Sequence, residues 1–350
     1  MTAMATAMTD GFVFTSTTQV DAVAVRTASA SSSGSDSDEP EVPLVAVATS
    51  SLEGNLWDGG LVLVDGTTGE RLCGAQLGTG VGALTWCGED RSSLVLGCDN
   101  GDVQLVKLVT DVDFALVPQH FGEDCAGHDD VVTGVAASAI EKTVMASCSW
   151  DLTVKLWDVS AMDKAVTTLD GHTDLIWDIA MNPLTVHLLA TASQDSTVQL
   201  WDDRNVTQAA SSTLLTTSPA LSVDWHPANA HILVAGLEDG SVVTFDTRSP
   251  TEPLSLKRVH TGAVHRVKYS PFHADLVATG ADDAQVVVLS NSSASDHTLE
   301  QVAVVPSSAH SDYVRALDWY QLPGKCDKTT STWLVTGSWD KSVRTWTVSA

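Results

Sequence analysis

The sequence predicts an all-β protein: seven four-stranded sheets set as blades around a central axis, a closed propeller. Three observations predict it. A segment of about 44 residues recurs seven times. Each copy holds short runs rich in Val, Leu and Thr, cut by Asp, Gly or Asn, which is the pattern of short strands joined by tight turns. Long helical periodicity is absent. One such sheet cannot bury both of its faces, so the copies must stack on one another. A length of 350 residues suits two ordinary domains or one large all-β ring, and the repeat decides for the ring.

In chain order the copies are SSLEGNLWDGGLVLVD from Ser50, SLVLGCDNGDVQLVKL from Ser93, MASCSWDLTVKLWDVS from Met145 and LATASQDSTVQLWDDR from Leu189. They continue with LVAGLEDGSVVTFDTR from Leu233, LVATGADDAQVVVLSN from Leu276 and LVTGSWDKSVRTWTVS from Leu334. Aligned on the residue that closes the third strand, their markers are Val64, Val106, Trp157, Trp201, Phe245, Leu289 and Trp346, at spacings of 42, 51, 44, 44, 44 and 57. Trp86, Met181, Trp225, Tyr269 and Trp319 share a position near the end of the first strand and are expected to pack between blades.

The last copy ends at Ala350 after its third strand. The stretch Phe12–Thr17 is therefore expected to complete the final blade, with Val20–Arg26 opening the first, residues 1–10 forming a disordered N-terminus and residues 11–350 the ring. An unpaired sheet edge would otherwise invite misassociation. Ala28–Glu41 (ASASSSGSDSDEPE) is Ser-rich, acidic and without apolar period, so it is expected to be a disordered loop within the first blade. Ser35 and Ser37 precede acidic residues, as an acid-directed kinase requires. Gln321–Thr332 is expected to lengthen a loop of the last blade.

The 18 Lys and Arg against 44 Asp and Glu leave a formal charge of −26. That argues against direct binding of nucleic acid or of anionic membranes and favours basic partners. No run approaches 18 consecutive apolar residues, and Met1–Val20, with no basic start and no clean apolar stretch, reads as a poor signal peptide. Cys73, Cys87, Cys98, Cys125, Cys148 and Cys326 form no CxxC pair and no zinc spacing. They read as reduced thiols of a protein of the cytoplasm and nucleus. GxSxG, P-loop, HExxH and GxGxxG signatures are missing, and neither a cofactor nor a metal is expected.

Four residue types recur in register: His128, Ser147, Asp151 and Trp157; His172, Thr191, Asp195 and Trp201; His310, Thr336, Asp340 and Trp346. A fourth set, His260, Thr279 and Asp283, meets Leu289 in place of Trp. A catalytic triad does not repeat in several blades. The period and these residues resemble WD repeats, in which the four side chains form a structural hydrogen-bond relay, so the chain is expected to be a seven-bladed WD-repeat β-propeller closed by an N-terminal strand.

On such a ring the turn before the relay Asp faces the mouth of the channel. The residues there are Trp57, Asp99, Trp150, Gln194, Glu238, Asp282 and Trp339. A second ring lies five residues after each His: Thr133, Trp177, His265 and Arg315. Trp is enriched at interface hot spots. The expected partner-binding residues are Trp57 with Leu56 and Asn55, then Trp150, Trp339, Trp177 and Arg315.

Ser50–Asp65, with GVGALTW (Gly80–Trp86), GHDDVVTGV (Gly127–Val135), ALSVDWHP (Ala220–Pro227) and AHSDYVRALDW (Ala309–Trp319), resembles the methylosome protein 50 family of WD-repeat proteins. The resemblance runs from about Val20 to the C-terminus. It implies a non-catalytic partner of protein arginine methyltransferase 5 that binds the N-terminal barrel domain of that enzyme. It also implies presentation of Arg-rich substrates such as Sm proteins and histones within a hetero-oligomer. The Trp matching Trp57 would enter a pocket of the barrel. Asn55 departs from the relatives, which can carry a basic residue there. The alternative is a substrate receptor of a cullin-based ubiquitin ligase: Trp201-Asp202-Asp203-Arg204 fits its WDxR pattern, and Phe245-Asp246-Thr247-Arg248 half-fits it.

Overall fold

A computed structural model describes residues 8–27, 42–53, 56–110, 113–119, 127–162, 164–204, 210–291, 299–306, 308–323 and 330–348. Its 28 strands form seven antiparallel four-stranded sheets. Strand β1 (Thr9–Thr15) comes first and belongs to the last blade. Blade one is β2 (Gln19–Arg26), β3 (Leu44–Glu53), β4 (Leu56–Asp65) and β5 (Arg71–Gln76). Blade two is β6 (Val81–Cys87), β7 (Ser93–Cys98), β8 (Val103–Val109) and β9 (Ala115–Gln119). Blade three is β10 (Val132–Ala137), β11 (Val144–Ser149), β12 (Thr153–Asp158) and β13 (Thr167–Asp170). Blade four is β14 (Ile176–Met181), β15 (Leu188–Ser193), β16 (Thr197–Asp202) and β17 (Ser212–Leu215). Blade five is β18 (Ala220–Trp225), β19 (Ile232–Leu237), β20 (Ser241–Asp246) and β21 (Ser255–Arg258). Blade six is β22 (Val264–Tyr269), β23 (Leu276–Ala281), β24 (Val286–Ser290) and β25 (Glu300–Val304). Blade seven is β26 (Val314–Pro323), β27 (Thr330–Ser338), β28 (Ser342–Val348) and, on the outside, β1.

The first strand of each blade lines the channel and the second is nearly all buried between neighbours. Large side chains fill the space between blades. The indoles of Trp86, Trp225 and Trp319 each donate, at 3.1 Å, to a carbonyl on the inner strand of the preceding blade: Ala24, Ala180 and Lys268. A large aromatic there satisfies its own N–H and fixes the angle between two sheets.

The ring closes at the seam of blades one and seven. β1 pairs with β28 from Thr9↔Thr347 to Thr15↔Ser342. Val25 N donates to Asp318 Oδ2 at 2.7 Å, and the Tyr320 hydroxyl donates to the Gly66 carbonyl at 3.0 Å. Two expectations are corrected. Pairing reaches Thr9, and Met8 packs on the blade-six and blade-seven core, so the ring begins before residue 11. Gln321–Pro323 and Thr330–Thr332 are paired strand, not loop, because the β26–β27 ladder simply runs on. The acidic segment 28–41, with Ser35 and Ser37, lies outside the described residues, as do Cys125 and Cys326.

Deleting residues 9–15 leaves the outer edge of β28 unpaired, with β27 still on its other side. The expected outcome is aggregation or a lower melting temperature, checked by thermal melts and light scattering of the two chains.

Candidate protein-interaction face

Each inner strand carries one bulge on the same face of the ring. The register breaks at residue 21 in β2, 82 in β6, 133 in β10, 177 in β14, 221 in β18, 265 in β22 and 315 in β26. A bulge leaves one residue without a cross-strand partner and re-aims its side chain. All seven bulge residues therefore line one cavity of about 130 Å³ at the channel mouth, together with Trp339. The sequence pattern singled out Thr133, Trp177, His265 and Arg315. It missed Asp21, Gly82 and Leu221, whose blades have no His to count from. The usable signal was the position four residues before Trp86 and Trp225.

The turn between the second and third strands brings a partner to these residues. Its first residue donates its N–H to the carbonyl just before the inner strand or at its start: Trp150 to Val131, Gln194 to Leu175, Asp282 to Ala263 and Trp339 to Tyr313. Within a blade, turn and bulge side chains then meet. Trp177 Nε1 donates to Gln194 Oε1 at 2.8 Å, His265 Nε2 lies 3.1 Å from Asp282 Oδ2, and the Arg315 guanidinium sits 4.7 Å from the Trp339 ring centre. Contacts also cross between blades. Trp150 and Trp177 pack edge to face at 5.3 Å, Trp177 packs on His265 at 6.0 Å, Arg315 reaches His265 Nδ1 at 2.8 Å, and Trp339 Nε1 donates to Asp21 Oδ1 at 2.9 Å. Trp150, Trp177, Arg315 and Trp339 thus form one half-buried belt across the mouth.

Burial raises the Asp21 carboxyl to about 6, against the lowering effect of hydrogen bonds from Ser50 and Trp339. Burial likewise lowers His265 and Arg315. Around this mouth the loops are acidic. Asp129, Asp130, Asp174, Glu238, Asp239 and Asp312 are exposed, and among the described residues of these loops and turns Lys341 is the one exposed Lys or Arg.

Blade one departs from the alignment. In blade four, three residues separate the paired Ser193 and Thr197; in blade one, ten separate Thr49 and Gly60. The β3–β4 hairpin therefore runs on through four more pairs, from Ser50↔Gly59 to Glu53↔Leu56. Ser50, not Trp57, takes the place of Gln194, and its hydroxyl donates to Asp21 Oδ2 at 2.6 Å. Trp57 pairs with Leu52 on the projecting part of the hairpin. Asn55 and the side chains of Leu56 and Trp57 lie outside the described residues.

The relay side chains hold this face in shape. His128 Nδ1 lies 2.9 Å from Asp151, His128 Nε2 lies 2.7 Å from the Ser147 hydroxyl, and Trp157 Nε1 donates to that hydroxyl at 2.8 Å. The carboxylate accepts from Nδ1–H, so Nε2 accepts from Ser147 and the Ser147 oxygen accepts from the indole. His172, Asp195, Thr191 and Trp201 repeat this at 2.8, 2.7 and 2.8 Å, and His310, Asp340, Thr336 and Trp346 at 3.0, 2.8 and 3.1 Å. His260, Asp283 and Thr279 make the first two links, and Thr279, lacking an indole, lies 3.1 Å from the Val287 carbonyl. Burial raises the Asp283 carboxyl, but hydrogen bonds led by that from His260 more than offset this and hold it at about 2.

The residue after each relay Asp adopts a left-handed backbone: Leu152, Ser196, Ala284 and Lys341, with φ of 70°, 63°, 60° and 69°. That conformation costs a side-chain-bearing residue roughly 1–2 kcal/mol, and the Asp carboxylate offsets it by gripping both sides of the turn. Asp151 accepts from Asp129 N, Thr153 N and the Thr153 hydroxyl. Blades two and five have no relay His and place Gly101 and Gly240 at this position instead, with φ of 89° and 87°.

On the opposite face, Arg204 and Arg248 of the WDxR-like segments fold back on the carboxylates of Asp202 and Asp246, each through the Nε and a terminal nitrogen.

The fold and this face define a ring-shaped platform of the kind that binds partner proteins. The family model described as "WD domain, G-beta repeat" matches residues 121–158, 163–202 and 303–347, the three blades whose relay is complete to the Trp. The chain is a seven-bladed propeller built with WD40 repeats. WD40 propellers are typically non-catalytic scaffolds. A search of curated proteins returns no match.

Proposed function

We propose that this propeller is the non-catalytic adaptor of a protein arginine methyltransferase complex of the cytoplasm and nucleus. In this role it binds the N-terminal barrel domain of protein arginine methyltransferase 5 and presents Arg-rich proteins, such as Sm proteins and histones, for symmetric dimethylation. The observation that carries it is the β3–β4 hairpin, prolonged by four residue pairs beyond the level at which blade four turns. The pairs from Ser51↔Asp58 to Glu53↔Leu56 extend the hairpin past the level of that turn, which supports contact with a second protein, and this hairpin bears the Leu-Trp-Asp-Gly-Gly sequence on which the resemblance rests. Trp150, Trp177, Trp339 and Arg315 form the adjoining surface.

The acidic loops around the mouth supply the complement for arginine-bearing tails. Exposed charges are screened beyond about 8 Å at physiological ionic strength. An Arg/Gly-rich peptide titrated into the chain should therefore bind at low salt and weaken steeply as salt rises, and Asp129→Asn with Asp130→Asn and Asp174→Asn should flatten that dependence. Affinity that ignores both salt and these substitutions contradicts docking by charge.

A further inference from the structure

Where blades six and seven meet at the mouth, one guanidinium sits in a cage. Arg315 lies 4.7 Å from the centre of the Trp339 ring and 5.4 Å from that of Tyr313. One terminal nitrogen donates to His265 Nδ1 at 2.8 Å, and the other lies 3.3 Å from Asp282 Oδ1. An arginine only donates, so His265 carries its proton on Nε2, which faces Asp282 Oδ2 at 3.1 Å. Two aromatic rings, a carboxylate and a neutral acceptor together suit a planar cation.

The molecule's own arginine fills this cage imperfectly. Arg315 Nε and Asp282 Oδ1 are both buried, and neither has a hydrogen-bond partner among the described residues. The contact on Oδ1 is therefore an ion pair without the alignment of a hydrogen bond. Arg315 is tethered at the bulge of β26, which sets the direction of its approach. An orphaned donor and an orphaned acceptor in one place work against stability. Burial holds Arg315 below the ordinary arginine range; Asp282 and Asp21 oppose that, and Arg266 adds to it. Arg266 in turn lies 3.8 Å from Asp178. Exchanging one guanidinium for another leaves this charge balance as it is. The cage also opens outward. Tyr313 is 38% exposed, and the cavity of about 130 Å³ beside Arg315 and Trp339 gives a second side chain room to enter.

We propose that this cage binds one arginine side chain of a partner, and that Arg315 is its internal occupant until the partner arrives. The proposal rests on the docking of arginine-bearing tails argued above and names the residues that take one of their side chains. An arginine free of the β26 tether can turn its fork onto Asp282 and satisfy Oδ1 while its plane packs on Trp339 and Tyr313. The acidic loops gather the tail, and the cage selects arginine over lysine, whose ammonium has no planar fork.

The probe is a short fluorescein-labelled peptide of Gly and Ser with one central Arg, followed by anisotropy with the full chain; a second peptide carries Lys in its place. A single charge keeps the pull of the acidic loops small, so the outcome is separate from the salt dependence of the Arg/Gly-rich peptide. Arg315→Ala should bind the Arg peptide about tenfold or more tightly than the parent chain does. It should prefer that peptide to the Lys one, and adding Asp282→Asn should remove the gain. Lys341→Ala takes a charge from the same face without opening the cage and should leave the affinity nearly unchanged. Arg315→Lys keeps the charge and most of the packing; it should gain by a smaller factor and decides the matter if Arg315→Ala melts early. No gain in either Arg315 variant, absence of binding by every chain included, overturns the cage. So does equal affinity for the Arg and Lys peptides, or an equal gain from Lys341→Ala. Docking by charge survives any of these results as long as the Arg/Gly-rich peptide keeps its salt dependence.

Discussion

Trp57→Ala should melt like the parent chain and fail to hold the methyltransferase. Its strand partner Leu52 and its neighbours to Gly59 stand on the part of the hairpin that exceeds its own blade. Removing a side chain there takes nothing from the ladders that define the ring. In a partner's pocket, a Trp hot spot contributes on the order of 2–4 kcal/mol. At 1.4 kcal/mol per tenfold, that is roughly a 30- to 700-fold loss of affinity. Thermal melts and pull-downs of the variant check both halves. Early melting, or undiminished capture of the partner, assigns the residue to the fold instead.

Trp157→Ala should do the reverse. Trp157 is 1% exposed, and its indole is the donor at the end of the blade-three relay. The substitution opens a cavity among Met145, Met162 and Val132 and removes the group to which the Ser147 oxygen is matched. Large-to-small changes of this kind cost about 3–5 kcal/mol. With unfolding entropy near 2.1 cal/mol/K per residue, that is a fall of roughly 4–7 °C in melting temperature for a ring of this size. Binding should suffer only as far as folded protein is lost. Leu289 occupies the corresponding place in blade six, so Trp is not indispensable to the fold; it is indispensable where Ser147 has been matched to it.

Much of this was legible in the sequence because repetition makes position readable. Seven copies gave seven blades, and the short final copy together with the alternating N-terminal stretch gave the closing strand. Blades three, four and seven, with complete relays, also gave the mouth residues Trp177 and Arg315 by counting from His172 and His310. Where the His is missing, counting had no origin, and Asp21, Gly82 and Leu221 were passed over. Trp57 was set in the wrong place for a different reason. Counting back from Val64 assumes an ordinary turn, whereas the ladder from Thr49↔Gly60 to Glu53↔Leu56 shows a longer hairpin. Strand pairing, which no single-strand pattern contains, fixes that register. The belt from Trp150 to Asp21 was equally hidden, since it joins five blades through contacts between side chains distant in sequence.

The most direct measurement is a calorimetric titration of the purified chain with the isolated N-terminal barrel domain of protein arginine methyltransferase 5. An adaptor built on the projecting hairpin predicts saturable binding to that domain alone, carried by the parent chain and lost in a chain whose residues 51–58 are replaced by a short turn that keeps the Ser50–Gly59 pairing. Absence of heat with the parent chain, or equal binding by the shortened one, would contradict it.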